Sequence, residues 1–155
     1  MHTPVTEHDT DLLAALVAAK LKILELLAQL AHKQLALADR GESTDLLKLL
    51  AAKQTVLSQL QHVERRLDPF RSQDAEARVW RSPADRQRCQ ERANRCDELL
   101  AETMRVEKQG EAAMIRRRDQ AASLLAGAAA AADAQAAYAG PALVSSVALQ
   151  LHCEG

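Results

Sequence analysis

Along most of this chain, apolar residues recur at intervals of three and four, with polar residues filling the gaps. In helical geometry that spacing gathers the apolar positions into one stripe. Leu13, Leu16, Ile23, Leu27, Leu30 and Leu37 predict a first helix over about 8–40, with Asp9, Thr10 and Asp11 well placed at its start. Leu12, Leu26 and Leu35 widen the stripe, so this helix is expected to touch two neighbours. A second stripe, Leu46, Leu49, Lys53, Val56, Leu60, Val63 and Leu67, predicts a helix over about 44–67. Gly41 is the expected cap of the first helix, and Ser43 or Thr44 of the second. A break this short makes an antiparallel hairpin.

Pro69 cannot donate a backbone hydrogen bond and disfavours helix at Asp68, so the second helix is expected to end there. Residues 68–82 form the longest irregular connection. Ser82-Pro83-Ala84-Asp85 then has the chemistry of a helix start: a serine cap, proline in the first helical position and a carboxylate in the first turn. Nothing interrupts a third helix over about 83–138, roughly 80 Å at 1.5 Å per residue, with Gly110 and Gly127 as the points where it can bend. Its stripe is thin: Cys89, Ala93, Cys96, Leu100, Thr103, Gly110, Met114, Ala121 and Leu124. Beyond Leu125 the run AGAAAAADAQAAYAG favours helix but offers almost nothing large to bury. Such a helix needs a partner, or it frays. Gly140-Pro141 is the predicted stop, with 141–155 a flexible tail. The expected fold is all-α: an antiparallel hairpin plus a long third helix, an elongated three-helix bundle or coiled coil, as one domain over 1–140.

Composition agrees with narrow helix–helix seams. Hydrophobic residues make up 48% of the 155 but aromatics only 2%, so the apolar volume is leucine and alanine. Twenty basic residues against 21 acidic ones leave a net charge of −1, and no global field draws the chain to nucleic acid or membrane. The start, MHTPVTEHDTDLL, lacks the cationic opening of a signal peptide, and Lys20, Lys22 and Glu25 interrupt the first apolar run. Cys89 and Cys96 stand about 10 Å apart along one helix, too far for a disulfide. An odd cysteine count without a CxxC pair fits a reducing compartment and gives no zinc site.

Few residues invite a chemical reading. Lys53 is the lone polar seat in its stripe. Its stem packs while its ammonium reaches water, or it pairs with Asp97 and Glu98 and fixes register, or it contacts a partner directly. The arginines of RVWRSPADRQRCQERANR are interleaved with Asp85 and Glu91 and accompanied by one aromatic, Trp80; a solvated face fits them better than a nucleic-acid contact. Trp80 is either a plug over one end of the bundle or an exposed anchor. His32, His62 and His152 lack ligand spacing, so no metal or cofactor is expected. No nucleophile–base order and no phosphate loop is visible, and no enzyme activity is expected. Tyr138, the only tyrosine, is either a local helix cap or a docking contact.

A leucine-rich helix, a break holding Gly41-Glu42 and Asp45, then Leu46, Leu47 and Leu50 before Lys53-Gln54, Leu57, Leu60 and Glu64-Arg65-Arg66, together resemble the FlgN-like flagellar export chaperones. The resemblance is most specific over 24–67 and looser over 95–140, where Tyr138 and Gly140 match the family's ending. It makes Gly41, Lys53, Gln54, Glu64 and Arg65 motif residues. It implies a cytoplasmic protein that binds the C-terminal helical segments of hook–filament junction proteins, prevents their premature association and delivers them to the flagellar type III export gate. On that reading Met114, Ile115, Ala121, Leu124, Leu125 and Ala128 form the substrate arm, and Tyr138 docks at the gate. The rival from another class is a structural coiled-coil protein, a homodimer closed through its third helix.

Overall fold

The computed structural model describes residues 6–153, with side chains over 6–139. Three helices carry the chain: α1 (Glu7–Arg40), α2 (Ser43–Arg71) and α3 (Pro83–Cys153), with no strand among the described residues. It divides into two units, Met1–Ala113 and Met114–Gly155.

Local chemistry sets the ends of α1. Thr6 caps it: the Asp9 amide donates to Thr6 Oγ1 at 3.3 Å, and the Thr6 amide donates back to Asp9 Oδ2 at 2.9 Å. Gly41 terminates it at φ 72°, a left-handed conformation that any Cβ would disfavour. There the Gly41 amide donates to the Ala38 carbonyl and the Glu42 amide to the Leu37 carbonyl. Neither Ser43 nor Thr44 caps α2. The turn is so short that Glu42 takes the cap position, its carbonyl accepting from the Leu46 amide at 3.0 Å, with no side-chain bond.

In the first unit the hairpin is antiparallel, since Lys20 meets Glu64 while Gln34 meets Lys53. The first part of α3 runs parallel to α1, with Asp11 beside Arg81 and His32 beside Glu102. Two apolar clusters fill the space between. One gathers Leu24, Leu27, Leu30, Leu49, Val56, Cys96 and Leu99; the other gathers Leu13, Leu16, Val17, Val63, Leu67, Phe70 and Cys89. The two-neighbour expectation for α1 holds, but through different residues. Val17, Ala28, Ala31 and Ala38 form the second buried edge, while Leu12 and Leu26 are exposed. Small side chains let the backbones approach closely; an extra leucine there would push them apart. Likewise the α3 seam runs through Cys96, Leu99, Thr103, Val106 and Ala113, and Leu100 lies outside it.

Two predicted ends are passed. The second helix continues through Pro69 to Arg71. Proline's penalty is local, and it is outweighed because the last turn buries Phe70, whose carbonyl accepts from Arg78 Nη2 at 2.7 Å. The bounds of α3 also run past Gly140-Pro141; alanine and leucine favour helix on both sides of that proline. The flexible tail expected over 141–155 falls outside the described side chains. By contrast, Ser82 starts α3 as its sequence predicts, accepting from the Asp85 amide at 3.1 Å.

The connection between α2 and α3 is tied down rather than loose. Asp74 caps a short 3-10 turn, Ala75–Ala77. Thr10 Oγ1 donates to the Val79 carbonyl at 2.7 Å, and Arg81 grips both carboxylate oxygens of Asp11. Trp80 packs partly buried against the Phe70 cluster, which is the plug reading.

Candidate partner-binding helix

The predicted site residues fall into two groups, one in each unit. Of the motif residues, Gly41 forms the hairpin turn, while Gln54 and Arg65 are exposed on α2. Glu64 bridges Lys20 of α1, at 2.7 Å, and Arg71 of its own helix. Burial pushes the Glu64 carboxyl up, but hydrogen bonds from Lys20 and Arg71 outweigh it, and the group lies below its ordinary value.

Lys53 is seated in the seam with its side chain 15% exposed. Its ammonium donates to Gln34 Oε1 at 3.1 Å and forms an ion pair with Glu107. Lys53 therefore has a carboxylate partner, but it is Glu107 rather than Asp97 or Glu98. Eighteen residues separate Lys53 from the end of α2, and twenty-four separate the start of α3 from Glu107. The connection overshoots the end of α2 before turning back, because Val79 and Arg81 are fastened beside the start of α1. Of the five motif residues, Gly41, Lys53 and Glu64 thus hold the first unit together, at three levels along it.

Gln34 and Glu107 were not singled out in the sequence. A signal existed for Gln34: it is the polar seat between Leu30 and Leu37 in the stripe of α1, just as Lys53 is in that of α2. Burial pushes both the Cys89 and Cys96 thiols up, away from the thiolate that nucleophilic chemistry uses. Among the described residues no cluster of His, Cys, Asp and Glu is placed to hold a metal ion.

The second unit is a different kind of surface. From Ile115 to Ala139 every side chain is exposed, although the helix is unbroken. Leu124 is 75% exposed, Leu125 72% and Tyr138 90%. Advancing about 100° per residue, Met114, Ala121, Leu125 and Ala128 share one face, with Leu124 on its edge. Ile115 lies about 100° round from Met114, so it is off that face. Tyr138 packs on nothing among the described residues, which leaves the local-cap reading without a contact behind it. Arg116, Arg117, Arg118 and Asp119 lie toward one end of the stretch and Asp133 toward the other.

Fold and surface together define a class: an all-helical bundle protein whose longest helix carries an exposed, weakly apolar, alanine-rich face. No family model, no curated protein and no solved structure matches the chain. No helix among the described residues is long and apolar enough to cross a membrane.

Proposed function

We propose that this chain is a cytoplasmic export chaperone of the FlgN-like kind. On this reading it binds the C-terminal helical segments of hook–filament junction proteins and presents them to the flagellar type III export gate. The observation that carries the reading is the exposed helix over 115–139, with two adjacent leucines about three-quarters free. A helix with one weakly apolar face accepts an amphipathic helix alongside it, burying on both what neither buries alone. Alanine at Ala121 and Ala128 keeps that contact shallow, which suits a client that must later be released. The motif over residues 24–67 supports the same reading, with Gly41, Lys53 and Glu64 holding the hairpin.

Isothermal calorimetry with a junction-protein C-terminal peptide tests it. The full chain is expected to bind. A chain truncated after Arg118 is expected to lose binding while keeping a folded first unit, because the two apolar clusters draw on nothing beyond Leu99. Tyr138→Ala is expected to bind the peptide normally and to fail in delivery to the gate. Full affinity in the truncated chain would move the binding surface to the bundle and end this reading of the helix.

A further inference from the structure

In the first unit a cleft of about 270 Å³ opens between the starts of α1 and α3, and Trp80 forms part of its wall. Ala14 and the buried Cys89 add apolar lining. Trp80 also packs on the Phe70 cluster, so its indole is held in place. Charge in the cleft is unevenly matched. Three arginines line it against two carboxylates. Arg81 grips both oxygens of Asp11, and Asp85 is held by Arg88 and by the Ser82 hydroxyl. Arg92 has no such partner among the described residues. Its neighbours three and four residues away on α3 are Arg88, Cys89, Arg95 and Cys96, none of them a carboxylate. Yet Arg92 is half-buried, while the paired Arg81 and Arg88 are more than half exposed. Cations withdrawn from water are ordinarily the paired ones, so the order here is reversed. The Arg92 charge also reaches the Cys89 thiol, where it pulls against the burial that pushes that thiol up.

We propose that this cleft binds a small aromatic carboxylate, its ring against Trp80 and its carboxylate on Arg92. A guanidinium offers a planar fork that matches the two oxygens of a carboxylate. One unmatched cation calls for a monoanion; a phosphate monoester would carry a second charge toward Asp11 and Asp85. Size sets the body of the ligand. A cavity of about 150 Å³ takes benzene and drug-sized ligands need about 300 Å³ or more, so about 270 Å³ suits one substituted ring. Such a ring packs favourably on an indole either offset or edge-on. The cleft belongs to the first unit, so it stands or falls apart from the proposed role of the helix over 114–139.

Trp80 is the only tryptophan, so its indole N–H gives a single resonance that reports on this cleft. Titrating the full, isotope-labelled chain with phenylacetate should shift that resonance saturably, with a dissociation constant of about 1 mM for a ligand of this size. Phenylacetamide has the same shape without the charge and should bind at least about 10-fold more weakly. Phenylacetate should lose as much on Arg92→Gln, a variant that keeps its fold, with an unchanged circular dichroism spectrum, because Arg92 pairs with nothing among the described residues. Cyclohexylacetate, charged but not aromatic, should bind about 5-fold more weakly than phenylacetate. An indole resonance that does not move at about 20 mM phenylacetate overturns the proposal. Equal affinity for acid and amide, or for wild type and Arg92→Gln, overturns the carboxylate contact with Arg92. Equal affinity for cyclohexylacetate overturns the aromatic class of the ligand.

Discussion

Replacing Lys53 with leucine separates what the stripe of α2 suggests from what the packed bundle contains. From the stripe alone, leucine completes an apolar row, and such replacements of buried ionic groups are often neutral or stabilising. The bundle reverses the expected sign through Gln34, which is 8% exposed and whose Oε1 accepts from the Lys53 ammonium. Without that donor a buried amide oxygen is orphaned, at a cost of about 1–3 kcal/mol. Glu107 loses its partner too, but with its side chain 32% exposed it regains water and adds little. Added apolar burial returns on the order of 1 kcal/mol. Lys53→Leu should therefore destabilise by about 1 kcal/mol. In Gln34→Leu/Lys53→Leu the orphan is gone, and stability should return to wild type or exceed it. Urea unfolding followed by far-UV circular dichroism measures both. A single variant as stable as wild type, or a double variant no better than the single, would refute the reasoning.

Thr103 is 5% exposed and its hydroxyl has no hydrogen-bond partner among the described residues, so Thr103→Val should raise stability by about 1 kcal/mol in the same urea experiment. Because the Glu64 carboxyl titrates lower in the folded chain than in the unfolded one, its contribution is complete above the ordinary value of about 4.3 and is lost as pH falls through the folded value. Glu64→Gln should flatten that acid limb in thermal melts taken as a function of pH, and an unchanged limb would remove Lys20–Glu64–Arg71 as its source. A Cβ at Gly127 meets nothing within 4 Å, so Gly127→Ala should strengthen the helix by about 1 kcal/mol and slow amide exchange around it.

Sequence reading succeeded where the determining chemistry is local. Gly41 ends α1 and Ser82 starts α3 because each acts on amides or carbonyls within a few residues. It failed where distant contacts compete with local preference. Pro69 argues for an end, but the burial of Phe70 across the bundle outweighs it. Lys53 advertises a buried polar contact, yet the partner depends on how the connection folds back, and Thr10 and Asp11 decide that from another helix. The helix over 114–139 lies at the far limit. Its lack of large side chains is plain in the sequence, but an alanine-rich surface encodes little about what would pack on it.

Hydrogen exchange along α3, with and without a junction-protein C-terminal peptide, tests the central claim most directly. Amides from about Ala121 to Tyr138 should exchange fast in the free chain, since every side chain there is exposed, and slowly when the peptide is bound. Protection confined instead to residues of the bundle, with 121–138 unchanged, would contradict the account.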